Sequence, residues 1–455
     1  MASKVKKGLL YYLLWVFLIL FGIVCIFASV LLFNKNKDVF GIGLKYVSYL
    51  DSDTVNTMMI EGDERTFTGL DIEKFNFNST YADFTVVIDP VFTQITFIID
   101  KKVNGFSNDK ENNGCYLDFN YENKELSVNV VAPTFWLGLG TNIDVVMYVP
   151  KTYSLVEKEF NFTTENGNII PAGRDTVADI SMAKLNIVTN LGQVKLFDRL
   201  KVETGEVNIE CKKSYVYVYS DIKTQLNFKS ETGKLYVESI SGNLNIESIK
   251  LDVKCDFIGG NVWYSSKSGY IRINKLGTNS SNGNFSAEID KMHIADVIIN
   301  EMTGDLDIPN AEKSNITVTK LGGEALVETT SGNIKIEQAQ KNVTLKTLYG
   351  SIFVTQIGIS SKTDLQTTSG KITANFTKIE KSEIKSERGL VEINIATDLQ
   401  FVFNYSTEKE ITVSWIRERL DKDGTIYIGG ATESTTSMID VVTGGRIELI
   451  DGYGL

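Results

Sequence analysis

Carboxylates are the one class of chemically capable side chain that this sequence supplies in number: 57 Asp and Glu stand against a single His and four Cys. Glu203, Glu206, Glu231, Asp305, Glu328 and Glu387 all lie near glycines. Two carboxyl groups facing one sugar would make a glycoside hydrolase. Charged residues are also the ordinary surface of a folded chain, and these form no recurrent acidic or Arg/Lys constellation, so no catalytic residue is expected. Metal chemistry is disfavoured in the same way. His293 alternates with Met292 and Ile294 as an outward strand position would, and the cysteines show no C-x-x-C spacing. "DKDG", Asp421 to Gly424, begins like a calcium loop but lacks the remaining ligands and the distant Glu, so it reads as a polar hairpin turn. No cofactor is expected.

Aromatic residues offer binding rather than catalysis. In "SYVYVYS", Ser214 to Ser220, Tyr215, Tyr217 and Tyr219 share one face of a strand and Val216 and Val218 the other. With the valines inside, the tyrosines form an exposed stripe, joined by Tyr236, Trp263 and Tyr270 at outward parity. Such a stripe suits sugar or protein contacts. Two other arrangements satisfy the same pattern: a stabilising ladder along the sheet, and tyrosines turned inward.

The elements that must position these residues announce themselves through glycine. "ETTSGNIKIE" (Glu328–Glu337) is nearly restated by "LQTTSGKITA" (Leu365–Ala374). After Gly192, Gly205, Gly233, Gly242, Gly260, Gly269, Gly283, Gly304, Gly323, Gly332, Gly350, Gly370, Gly389 and Gly445, the second and fourth residues are apolar. Apolar residues two apart line one buried strand face, and glycine supplies a tight turn before them. A further apolar residue often sits five before the glycine, as with Phe228, Leu345, Leu365 and Ile384. Spacings of about 18 to 20, with half-steps of nine such as Gly323 to Gly332, predict an all-β, elongated β-solenoid with corners on opposite sides of each coil. The chain divides into a cytoplasmic N-terminus (1–7), a transmembrane helix (8–33), a stalk or linker (34–63), an N-terminal β-strand region that starts the stack (64–150), and a solenoid array with a C-terminal cap (151–455).

Composition narrows the partners. At 43% apolar and 23% charged the chain is that of a folded protein, and a net charge of −11 argues against nucleic acid. The run from Gly8 to Phe33 contains no charged residue and is long enough to span a bilayer. It exceeds the apolar core of a signal peptide, and no small-x-small cleavage site follows it. Val24 before Cys25 does not fit a lipoprotein signal. Lys4, Lys6 and Lys7 precede the run, whereas Lys35 and Lys37 are offset by Asp38 after it. This places the N-terminus inside and the bulk of the chain outside the cytoplasmic membrane.

With the strand-rich entry, the "MYVPKTYSL" step (Met147–Leu155) and the T-x-x-G-x-apolar-x-apolar units, the chain resembles the bacterial "putative adhesin" β-strand repeat family, DUF4097-like, over roughly Thr66 to Leu449. The resemblance implies a membrane-anchored surface or envelope-stress domain, and it transfers no catalytic residue, because the shared motif is a turn. The expected function is a non-enzymatic cell-envelope scaffold or adhesion domain, with an envelope glycan or a membrane protein as partner. The alternatives are an envelope sensor signalling through a membrane partner, which a seven-residue cytoplasmic segment would require, and a polysaccharide-cleaving β-helix enzyme. Cys211 and Cys255 share the inward parity of Val207, Ile209, Val253 and Phe257, about two coils apart, beyond disulfide reach; with Cys115 they are expected to be free thiols. N-x-S/T sequons at Asn78, Asn161, Asn315 and Asn375 fall in strand-like segments and carry no weight as glycosylation sites.

Overall fold

The computed structural model describes residues 12, 14–25, 38–39, 44–107, 114–132, 135–202, 204–289, 295–358, 361–396, 398–414, 419–422 and 424–451. Glu203, His293 and part of the expected 8–33 span lie outside them.

The apolar alternation and the glycine rule produce two parallel walls of strands. In the first wall Leu185, Val207, Leu226, Leu244 and Val262 stand in register on successive coils. Across the corner, Val194, Val216, Leu235, Val253 and Ile271 do the same in the second wall. From Glu206 to Leu276 each strand runs continuously through this corner. Later coils split at it, as in Ala325–Thr329 followed by Ile334–Ala339. Hydrogen-bonded partners on adjacent coils mostly lie 18, 19 or 20 residues apart, with longer coils such as the 22 residues from Asn186 to Asn208. The residues five before the glycines, Phe228, Leu345, Leu365 and Ile384, are all buried. One hydrophobic core runs the length of the stack, from Phe67 to Leu449.

Glycine's role is largely different from the expected one. Gly269 does have the positive φ of a turn, +116°. Gly332, Gly350, Gly370, Gly389 and Gly445 are required instead by the coil beneath. A Cβ on Gly350 would lie 1.9 Å from the carbonyl oxygen of Gly332, and one on Gly389 would lie 1.8 Å from that of Gly370. The second corner stacks Gly304 on Gly283 and Gly323 on Gly304 in the same way. Half-steps of nine are therefore the two corners of one coil, and each corner is a column of close backbone contacts. The Thr or Ser three residues before Gly350, Gly370 and Gly389 completes it. Thr347, Thr367 and Ser386 are buried, and their hydroxyls accept the N–H of Gly350, Gly370 and Gly389 at 3.0, 3.0 and 2.9 Å.

Both ends depart from simple stacking. The first coil, Lys74–Ser79 and Ala82–Ile88, pairs parallel with Glu159–Thr164 and Ile169–Ile170. The chain between them forms the near end: Glu125–Val131 and Phe135–Val149 lie against the outer side of that coil, backed by the antiparallel Tyr116–Glu122 and Thr96–Ser107. Leu44–Val55 then pairs with Thr96–Ser107, and Thr57–Ile60 with Asp63–Thr66. Much of the stretch expected as a stalk is thus built into the end of the sheet. Its weak periodicity follows from its edge position, where Leu50 is 83% exposed. At the far end Met438–Thr443 and Ile447–Asp451 insert between the coil Lys381–Ser386/Val391–Ile395 and the coil Phe401–Thr407/Ile411–Ser414. Arg419–Lys422 and Thr425–Ile428 form a hairpin with Gly424 at φ +81°, the polar turn expected for "DKDG".

The described N-terminal helix covers 14–25. Among the described residues no helix is long and apolar enough to cross a membrane.

Cys115, Cys211 and Cys255 are buried and free. Cys211 lies in the first wall, in register with Thr189 and Ser230, whereas Cys255 lies in the second, between Val237 and Ile273. Burial raises the Cys211 thiol to about 11 from an ordinary 9.0. Native protein at pH 8 is expected to resist alkylation at all three sites and to react fully in denaturant. A bridged Cys211–Cys255 peptide in a mass spectrum would refute the coil register. Because the folded pKa is raised, the neutral thiol's contribution to stability holds below about pH 9 and fades as the pH climbs toward about 11.

Candidate functional site

The core fills with apolar side chains, so chemistry must be sought on the outward faces. On the second wall Val216 and Val218 are buried and Tyr215 is 47% exposed, which puts the tyrosines outside. Tyr217 and Tyr219 stack at 6.2 Å with their planes 3° apart, Phe197 lies over Tyr219 at 5.9 Å, and Tyr236 tilts against Tyr219 at 5.8 Å. Arg174 caps Phe197 and Lys254 caps Tyr236, at 4.7 and 5.1 Å from the ring centroids. The Tyr236 hydroxyl donates to Asp256 at 2.8 Å; this bond, with a smaller contribution from burial, raises the phenol to about 12 and keeps it protonated.

Two of the six aromatic residues expected in one stripe lie elsewhere. Tyr270 shares the outward column of Tyr215, but Lys234 and Asp252 occupy the coils between them. Trp263 projects from the first wall, next to Asn245. Alternation separates inside from outside, yet it does not say on which side of the corner an outward residue falls.

Around Trp263 the first wall carries an arrangement that the aromatic pattern does not reveal. Asn76, Asn161, Asn186, Asn208, Asn227 and Asn245 stack coil upon coil. Each side-chain N–H donates to the carboxamide oxygen of the preceding member, at 2.7, 2.6, 2.8, 2.7 and 2.9 Å. Glu125 begins the ladder by accepting from Asn76 at 3.1 Å and from Lys74 at 3.2 Å, and these bonds hold its carboxyl below the usual range. A signal for the ladder does exist in the sequence: the triplet apolar-Asn-apolar occurs as "FNF", "FNF", "LNI", "VNI", "LNF" and "LNI" at those six positions. A recess of about 630 Å³ runs over Asn186, Asn208, Asn227 and Asn245 to Trp263.

Three of the carboxylates named from sequence are engaged between coils. Glu206 accepts from Asn227 at 3.0 Å, Asp305 accepts the backbone N–H of Glu324 at 2.8 Å, and Glu328 pairs with Lys346 at 3.2 Å. Glu231 and Glu387 are exposed. Glu328 and Glu387 line one recess, but three coils separate their strands. At ~4.8 Å per coil that is roughly 14 Å, wider than a glycosidase carboxyl pair. Among the described residues no three His, Cys, Asp or Glu side chains are grouped to hold a metal ion. Of the sequons, Asn161 belongs to the ladder, and Asn375 is buried, donating to Thr355 at 2.9 Å.

No curated protein matches the chain. Among solved structures it is similar to a "putative cell adhesion protein" from Clostridium sporogenes, at 7% identity over 89% of this chain and 100% of that one, with a TM-score of 0.16. It is also similar to a "putative adhesin" from Bacteroides fragilis, at 8% identity over 66% and 97% of the two chains, with a TM-score of 0.22. A "putative lipid binding protein" from Parabacteroides distasonis matches at 12% identity over 88% and 97%, with a TM-score of 0.20. At such scores these superpositions carry no argument. The family model described as Toastrack DUF4097 matches residues 72–275 and 267–444, which is most of the solenoid and its near end. The chain belongs to the Toastrack DUF4097 family.

Proposed function

We propose that this protein is a non-enzymatic, membrane-anchored scaffold of the cell envelope, a stiff rod whose outward walls make the adhesive or binding contacts. The observation that carries this reading is how the repeated polar groups are used. Corner hydroxyls, corner carboxamides and wall asparagines bond from coil to coil. The two long outward walls remain as the surfaces on which a partner can rest. The anchor rests on the helix 14–25, which lies within the charge-free run from Gly8 to Phe33 and exposes apolar side chains all round, including Leu14, Phe17, Leu20 and Val24. The lysines before that run orient it with the N-terminus inside.

External protease on intact cells is expected to remove the bulk of the chain and leave a short membrane-held stub. Survival of the full-length protein beside a digested surface control would reverse the orientation. Crosslinking in the native membrane checks the role: a stoichiometric membrane partner without any envelope ligand would replace the scaffold with a sensor.

A further inference from the structure

We propose that the asparagine ladder and Trp263 form a groove that binds an extended neutral β-1,4-linked glycan along the first wall. The assignment rests on the scaffold reading and names the ligand class and the wall. A carboxamide has two N–H donors and two acceptor lone pairs, and the ladder uses one of each per residue. Asn186 and Asn208 keep a donor and an acceptor for an outside molecule. Asn227 differs: its second N–H goes to Glu206 and its second lone pair accepts from Gln225 at 2.7 Å, so it is already satisfied. All the ladder bonds run in one direction, so the unused groups of Asn186 and Asn208 share one orientation on adjacent coils, and the series skips Asn227. Coils recur every ~4.8 Å, close to the advance per sugar of an extended β-1,4-linked pyranose chain. Successive sugars turn over along such a chain, so its two hydroxyl-bearing edges face the wall alternately, and those above Asn186 and Asn208 meet a free donor and acceptor.

Trp263 supplies the other half of sugar recognition. It stands one coil beyond Asn245, where the ladder stops, and is 36% exposed at the end of the recess. An indole there offers a flat apolar face to the C–H side of a ring. The rim selects for neutrality: Glu210 and Glu247 flank Lys229, and Lys229 is paired to Glu247 at 3.6 Å. An anionic polymer would meet carboxylates with no unpaired cation among them. A peptide would find no deep apolar pocket for an anchor side chain, since the floor is carboxamide.

The test uses the full-length chain in a zwitterionic detergent that carries no sugar. Cellohexaose is expected to bind and to change the fluorescence of Trp263, identified by its absence in Trp263→Phe. Maltohexaose, whose α-linked chain coils, is expected to bind more weakly. Trp263→Ala should weaken cellohexaose about tenfold without moving the thermal unfolding midpoint, because the side chain lies outside the core. A second variant, Val188→Arg, places a long side chain across the recess from an exposed position and should also weaken binding. Absence of binding, equal affinity for the two hexasaccharides, or indifference to both variants would overturn the assignment. Loss on replacing Tyr215, Tyr217 and Tyr219, with Trp263→Ala unaffected, would move recognition to the second wall, refuting the groove but sparing the scaffold. Turnover of cellohexaose would instead sink the non-enzymatic scaffold itself.

Discussion

Gly370→Ala is expected to destabilise the middle of the rod by about 3 kcal/mol or more, at the upper end of overpacking effects. The added Cβ would lie 1.7 Å from the carbonyl oxygen of Gly350 and 2.5 Å from its carbon. Neither neighbour is a side chain that can swing aside. Relief requires the two coils to part at that corner, and parting strains the bond from the Thr367 hydroxyl to the Gly350 carbonyl at 3.3 Å, made by the same hydroxyl that accepts the Gly370 N–H at 3.0 Å. Gly114→Ala is the control, because the nearest atom to its Cβ is Tyr116 Cδ1 at 4.0 Å. Stability in a stacked array is largely a sum over neighbouring coils. Hydrogen exchange should therefore accelerate in Ile352–Gln356, Ile372–Phe376 and Val391–Ile395 and stay slow near Phe75 and Phe160. A Gly370→Ala protein within about 0.5 kcal/mol of the control would mean that the corner column is not held by backbone contact.

The same glycine marks how far the sequence reaches. Its position and the apolar residues two and four beyond it were legible, because strand alternation and a coil of about 20 residues leave a repeated trace. The reason for glycine was not. A turn and a carbonyl one coil below both exclude a Cβ, and the letters "TSG" are the same for either. Wall assignment failed for a related reason. Tyr236 and Trp263 both have outward parity, but the chain bends between the halves of each strand, so the two rings project from opposite walls. The asparagine ladder was legible in principle. Asn208 between Val207 and Ile209 looks like any solvent-facing polar residue until five other coils place the same amide in the same slot.

The edges were the least legible part. Leu44–Val55 pairs with Thr96–Ser107 across a long loop of chain, and one exposed face erases the alternation that marks a strand. At the other end nothing in the local pattern says that "MIDVVT" (Met438–Thr443) precedes "FVFNYST" (Phe401–Thr407) in the stack. Both read as apolar strands, and only the pairing of Ile439 with both Ser382 and Phe403 fixes the order.

That order makes the final strands a keystone, and a chain ended at Ser437 is expected to lose its far end altogether. Removing residues 438–455 strips the parallel partners from four strands at once: Lys381–Ser386 and Val391–Ile395 on one side, Phe401–Thr407 and Ile411–Ser414 on the other. Each is left with a row of unpaired backbone groups. Phe401 and Phe403, both fully buried, lose the neighbours Ile439, Val441 and Leu449 from the shared core. Amides of all four strands should exchange rapidly, and the open parallel edge should drive association visible by size exclusion. Coils near Phe160 should keep their protection, because their contacts are with adjacent coils. The competing outcome is that Phe401–Thr407 slides inward and pairs directly with Lys381–Ser386. Such a shift would restore protection in both strands and leave the truncated chain monomeric, and it would show that the inserted coil extends the rod without holding its end in place. The polar faces argue against the slide. Asn404 now donates to Asp440 at 2.7 Å, whereas in direct register with the Lys381–Ser386 strand it would face Glu383, which is already bound to Lys385 at 2.5 Å.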